Sequence, residues 1–170
     1  MQSRSKYSAN RIALISTPWP LYNRPSIQLG TLKSYLQTVY PDMQVDAQHV
    51  YLKLAESIGY RQYHEISKRT WLAETVYAAL LYPERFQQIE NLFNRESGRK
   101  SVLRVAGLGN IAAIVKKISD EFINSRNWDD YLLTGFSVSL CQLTSALYFI
   151  KRIKEKAPKL IIVIGGSTFS

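Results

Sequence analysis

The sequence predicts an α/β fold, a doubly wound parallel sheet with an all-helical insertion. Three observations carry this. Residues 131–170 run as an apolar stretch, a helix-period segment and a second apolar stretch with almost no spare residues, which is the pattern of a βαβ unit. Residues 11–50 repeat the pattern in the first part of the chain. Between the two, about residues 52–127, the periodicity is helical throughout.

Arg11-Ile-Ala-Leu-Ile-Ser16 reads as the first strand. Residues 17–25 follow with three prolines, Pro18, Pro20 and Pro25, which forbid a regular element and favour a stiff loop. Ser26 is placed to cap a helix whose apolar stripe is Leu29, Leu32, Leu36 and Val39. Tyr40-Pro41-Asp42 ends it. Residues 43–50 form the second strand, with Met43, Val45 and Ala47 alternating against Gln44, Asp46 and Gln48.

Within the insertion, Trp71, Leu72, Thr75, Val76 and Ala79 make one helical stripe, closed by Pro83. Phe86, Ile89, Leu92 and Phe93 make another, broken at Glu96-Ser-Gly-Arg99. Ile111, Val115, Ile118 and Phe122 mark a strong amphipathic helix ending near Asn127. These apolar side chains are core before they are anything else. After the third strand, Leu143, Ala146, Leu147, Ile150 and Ile153 give the crossover helix its apolar face, and Ala157-Pro158 stops it. Leu160 to Ile164 is apolar at every position, as expected of a parallel strand covered on both faces. The chain reaches only a few residues past Gly165-Gly166, where the next helix is expected, so it reads as the front part of something longer. The domain is expected over residues 11–170, after a flexible segment 1–10.

Right-handed crossovers imply a flavodoxin-like strand order near 2-1-3-4, with a switch point between the first and third strands. Ligands of such sheets bind beyond the carboxyl ends of the strands at that point. The residues placed there are 17–26 and 137–142, with 165–168 beside them. Ser137, Ser139 and Gln142 offer hydrogen bonds, although Ser139 serves equally well as a helix cap. Gly165 and Gly166 let backbone approach a ligand closely, or simply make a tight turn. Pro18-Trp19-Pro20 offers a flat apolar wall, or a loop packed over the sheet.

Composition narrows the classes. Hydrophobic content is 46% and charged content 21%, the balance of a globular domain. The net charge is +9, but the basic residues are scattered and no nucleic-acid motif is present, so nucleic acid is not an expected partner. No apolar run is long enough to span a membrane and no signal-peptide core precedes the first strand, which leaves the cytoplasm as the expected location. The single cysteine, Cys141, excludes an internal disulfide or a thiolate-only cluster, and reads as a buried small hydrophobe. His49 and His64 share no ligand spacing and read as structural. There is no Gly-x-Gly-x-x-Gly, Walker loop, nucleophile elbow, zinc-binding helix or acidic pair after the first strand. The rim carries no acid–base pair, so it suits binding better than stand-alone catalysis.

Ile15-Ser-Thr-Pro-Trp-Pro20 followed by Arg24-Pro-Ser-Ile-Gln-Leu-Gly30 resembles the opening of cobalamin-dependent radical SAM proteins, in particular the RiPP maturation radical SAM protein 1 group. Leu54-Ala-Glu-Ser-Ile-Gly59 with Tyr63, Ile66 and Trp71-Leu-Ala-Glu74 is similar to that group's helical insert. Gly135-Phe-Ser-Val-Ser139, Gln142, Ser145-Ala-Leu147 and Ile162-Val-Ile-Gly-Gly166 resemble its third and fourth strands. The resemblance implies an N-terminal cobalamin-binding domain, its ligand held against Pro18, Trp19, Pro20, Ser137, Ser139, Gln142, Gly165 and Gly166. It implies a downstream radical SAM domain in cis, which would hold the 4Fe-4S cluster and S-adenosylmethionine, and a precursor peptide as substrate. No Cys-x-x-x-Cys-x-x-Cys and no Asp-x-His-x-x-Gly occurs in this chain, so any cobalamin is expected base-off without a histidine ligand. A degenerate domain serving as an adaptor for a peptide or protein partner is the alternative. A nucleotide-binding domain is a weaker third reading, since the phosphate loop is missing.

Overall fold

A strand at Arg11–Ser16 (β1) opens the sheet, with Ile12 and Leu14 facing one side and Ala13 and Ile15 the other. The computed structural model describes residues 10–98 and 101–167. The flexible segment expected at 1–10, apart from Asn10, and the rim position of Thr168 lie outside the described residues. After the proline loop comes a helix, Ile27–Val39 (α1), started as expected by Ser26, whose Oγ accepts from the Leu29 N–H at 3.3 Å. A second strand, Gln44–His49 (β2), pairs with β1 in parallel.

The insertion is wholly helical among its described residues. Its helices are Val50–Ile58 (α2), Tyr60–Ser67 (α3), Thr70–Leu81 (α4), Phe86–Ser97 (α5), Val102–Ala106 (α6) and Leu108–Asn124 (α7), with 3-10 turns at Pro83–Arg85 and Trp128–Asp130. It starts directly from β2, a little before the expected boundary. A third strand, Leu133–Ser137 (β3), a crossover helix, Leu143–Lys156 (α8), and a fourth strand, Ile161–Gly165 (β4), complete the chain. The sheet is parallel, with order β2-β1-β3-β4. The doubly wound reading, with its helical insert between β2 and β3, holds.

The two faces of the sheet are unequally covered. On one, α8 and the insertion bury the main core, which includes Ala13, Ile15, Phe136, Tyr63, Tyr77 and Phe149. On the other, α1 alone covers a small cluster of Ile12, Leu14, Leu29 and Val45. Sequence expectations need correcting in several places. Of the α1 stripe only Leu29 is buried, while Leu32 and Val39 are exposed, as is Trp71 near the start of α4. The buried face of α8 is Ser145, Ala146, Tyr148, Phe149 and Ile153, while Leu143 and Leu147 are exposed, because α4 and α7 pack on α8 and rotate its inner face toward themselves. And β4 is not covered on both faces: Ile161, Val163 and Ile164 are 56%, 49% and 40% exposed.

Among the described residues, no helix is long and apolar enough to cross a membrane.

Candidate functional site

The carboxyl edge of the sheet gathers the ends of β1 and β3 as the topology requires, and the chain's own polar groups fill the crevice between them. The Gln142 amide donates to the Thr17 carbonyl. Its Oε1 accepts from the Ser139 N–H at 3.0 Å and from the Ser139 hydroxyl at 2.6 Å. Ser145 Oγ lies 3.0 Å from Thr17 Oγ1 and 3.0 Å from the Gln142 carbonyl, and also reaches the Pro18 carbonyl. Thr17, Gln142 and Ser145 are all buried. Buried polar groups that satisfy one another form a stable clasp, and opening it would leave each unpaired at a cost. Ser139 and Gln142 are therefore committed to binding the loop after β1 to the loop after β3.

Trp19 does not form an outer wall. It is 1% exposed, with its ring centroid 5.2 Å from Tyr63 and 6.2 Å from Tyr77. The proline loop drives the indole inward because the insertion offers an aromatic socket beneath it. Pro18 is buried with it, and Pro20 is half-buried, its carbonyl accepting from the Tyr63 hydroxyl at 2.8 Å. Tyr51 holds the far end of the same loop, donating to the Arg24 carbonyl at 3.0 Å. Burial raises both tyrosine pKa values, so these hydroxyls remain donors.

The amino end of α8 is a natural anion site, and it too is taken. Glu74 of α4 accepts from the Leu143 N–H at 3.0 Å and from the Thr144 N–H at 2.7 Å, and its carbonyl accepts from the Thr144 hydroxyl. An internal carboxylate sits where a phosphate would. Sequence inspection missed Glu74; the only signal was an acidic residue in an otherwise apolar helix, which has many innocent explanations.

A groove of about 780 Å³ lies open on the α1 side of the sheet. Leu14, Leu133, Gly135 and Val163 floor it, and Ile27, Thr31, Leu32 and Leu36 of α1 form its flank. Its carboxyl end is lined by Ser137, Gly165 and Gly166. No lining residue is charged. A methyl group at Gly135 would come within 3.1 Å of Leu14, so the missing side chain deepens the floor. At Gly165 a Cβ would meet nothing within 4 Å. At Gly166, where φ is +117°, it would lie 2.2 Å from the Val138 carbonyl oxygen, so this glycine is required by the turn itself. Of the eight residues named from sequence, the structure brings Ser137, Gly165 and Gly166 into one groove and places Pro18, Trp19, Pro20, Ser139 and Gln142 elsewhere.

The remaining chemistry-bearing residues are engaged in packing. Burial pushes the Cys141 thiol up, against the opposing hydrogen bond with Thr70 at 3.5 Å, so it is held as a thiol. His49, at the end of β2, packs edge-on to Tyr51, and burial lowers its pKa. His64 packs edge-on to Tyr22. No group of His, Cys, Asp and Glu placed to hold a metal occurs among the described residues. Compared with models of protein families, with curated proteins and with solved structures, the chain matches none.

Proposed function

We propose that this chain is a cobalamin-binding module of a larger radical SAM enzyme that modifies a ribosomally made peptide, with the ligand's nucleotide tail in the α1-side groove. The observation that carries it is the open cradle at Gly165, at the carboxyl end of an uncharged groove. The sequence resemblance supplies the ligand's identity. The fit is good for the tail: a neutral heteroaromatic base suits apolar walls, Ser137 offers a hydroxyl, and Gly165 leaves backbone exposed. The fit is poor for a corrin wall at Trp19, which is buried, so the ring would have to rest over the outer rim. His49 and His64 are not among the residues that line the groove. Cobalamin, when bound, supplies a cobalt centre for group transfer. The cluster and S-adenosylmethionine belong to the downstream domain in this reading.

The test is retention of hydroxocobalamin by the purified chain through gel filtration, read from the ligand's visible absorbance. Co-elution at a stoichiometric ratio is expected; a folded protein that elutes colourless sinks the reading for this chain.

A second reading, an adaptor for a peptide or protein partner, is favoured by the Thr17–Ser139–Gln142–Ser145 clasp and by Glu74, which close the usual ligand crevice. In that case acidic peptides should bind the +9 chain at low salt and be released at high salt. No binding at low salt removes this alternative.

A further inference from the structure

Six tyrosine and tryptophan rings touch in single file, from Tyr60 at the start of α3 to Tyr148 of α8. Tyr60 is 53% exposed, Tyr22 is half-buried, and Tyr63, Trp19, Tyr77 and Tyr148 are buried. Ring centroids lie 4.9 Å apart for Tyr60 and Tyr22, 6.0 Å for Tyr22 and Tyr63, and 5.2 Å for Tyr63 and Trp19. The last two steps, Trp19 to Tyr77 and Tyr77 to Tyr148, are 6.2 Å and 5.5 Å. Packing alone asks only for apolar rings, and phenylalanine would fill such a core with no buried hydroxyl to satisfy. Tyrosine and tryptophan differ from phenylalanine in a further respect: they give up an electron far more readily. Electron tunnelling weakens steeply with distance, so rings in contact pass an electron by short hops.

The hydroxyl partners set where that electron comes from. An oxidised phenol is a strong acid and is held only where a base takes its proton. Tyr63 donates to the Pro20 carbonyl, and Tyr77 shares a hydrogen bond with Ser119; neither partner is a base. Tyr148 donates to the Asp120 carboxylate at 2.9 Å. Among the described tyrosines only Tyr131 also donates to a carboxylate, that of Asp46 at 3.0 Å. Its ring contacts reach the file through Trp128, Phe122 and Phe149, and the two phenylalanines do not carry the charge. We propose that the file conducts an oxidising equivalent inward from Tyr60 and stores it on Tyr148. The oxidant is of the peroxyl-radical class. It takes a hydrogen atom from the Tyr60 hydroxyl and leaves as a hydroperoxide. One electron then passes from Tyr148 along the rings to Tyr60, which regains a proton from water, while the Tyr148 proton moves to Asp120. Each ring between gives one electron and recovers one. The product is a neutral tyrosyl radical, shielded by burial from coupling with other radicals. A soluble thiol closes the cycle by giving one electron, Asp120 returning the proton; the thiol loses its own proton to water and becomes a thiyl radical. The inference stands apart from cobalamin binding.

The experiment tethers a ruthenium polypyridyl photo-oxidant to the full chain beside Tyr60, at Arg61→Cys in a Cys141→Ala background; the Arg61 side chain is 81% exposed. A flash with a sacrificial electron acceptor makes ruthenium(III), which takes one electron and returns to ruthenium(II). Samples are frozen after the flash and read by electron paramagnetic resonance, with circular dichroism confirming that each variant is folded. A long-lived tyrosyl signal is expected in the labelled chain and, undiminished, after Tyr131→Phe. The signal should vanish with Tyr148→Phe, which removes the store, and lose most of its amplitude with Tyr77→Phe, which interrupts the file while keeping a ring in place. The absence of a tyrosyl signal, its survival in Tyr148→Phe, full amplitude in Tyr77→Phe, or its loss in Tyr131→Phe would each overturn the proposal.

Discussion

Gly165 and Gly166 are neighbours with opposite demands. Valine at position 165 adds methyls into open groove and leaves the fold alone; at 166 it collides with the Val138 backbone. On the cobalamin reading, Gly165→Val should cut retention by about tenfold, a loss of about 1.4 kcal/mol, with an unchanged urea midpoint. Gly166→Val should cost at least about 1 kcal/mol of stability whether or not a ligand binds, so it reports on folding. Equal retention by wild type and a folded Gly165→Val protein would move the ligand out of this groove. Glu74 gives a second residue-scale expectation. Glu74→Ala leaves two N–H groups of α8 without their carboxylate and should lower the unfolding free energy by about 1–2 kcal/mol, measured by urea titration. An unchanged midpoint would mean that water replaces the carboxylate at no cost.

At the scale of elements, α7 and α8 are joined by Asp120. Its carboxylate accepts from the Tyr148 hydroxyl at 2.9 Å and pairs with Lys116 at 2.6 Å and Arg152 at 3.4 Å. Burial by itself would raise this carboxyl, but the hydrogen bonds from Lys116 and Tyr148 and the charges of Lys116 and Arg152 outweigh it and hold the pKa below the usual range. A depressed folded value means that the stabilisation is present above the unfolded pKa, about 3.9, and fades as pH falls through the folded one. Asp120→Asn should therefore narrow its stability gap to wild type as pH drops from 6 to about 3. A gap that stays constant would assign the cost to lost packing. The same helices show where sequence reading stops. Strand β1, the Ser26 cap and the α7 stripe were legible because each depends on local periodicity or capping. The inner face of α8 was not, because Ser145, Tyr148 and Phe149 are buried by helices far away in sequence. Likewise Ser139 and Gln142 looked like ligand groups, since nothing local shows that they bond to each other and to Thr17.

For the molecule as a whole, the unequal cores imply unequal stability. The core under α8 and the insertion is broad; the one under α1 rests on Leu29 and a few neighbours. Backbone amides of α1 should exchange with deuterium well before those of α4 and α7, as a local opening. Leu29→Ala, a deletion costing about 2–5 kcal/mol in a packed core, should speed exchange in α1 more than in α7. Uniform acceleration along the chain would instead mean one cooperative unit. Bound cobalamin should slow α1 selectively, because α1 forms the groove's flank.

The inward turn of Trp19 also decides what light can report. Trp19 and Trp128 are buried, Trp71 is 66% exposed, and no tryptophan lines the groove. Emission should therefore combine two blue, shielded indoles with one red indole open to acrylamide quenching. A colourless ligand entering the groove would leave that spectrum still, whereas detachment of the insertion would shift it to the red. The chain thus carries a built-in probe of its aromatic socket that is blind to its groove.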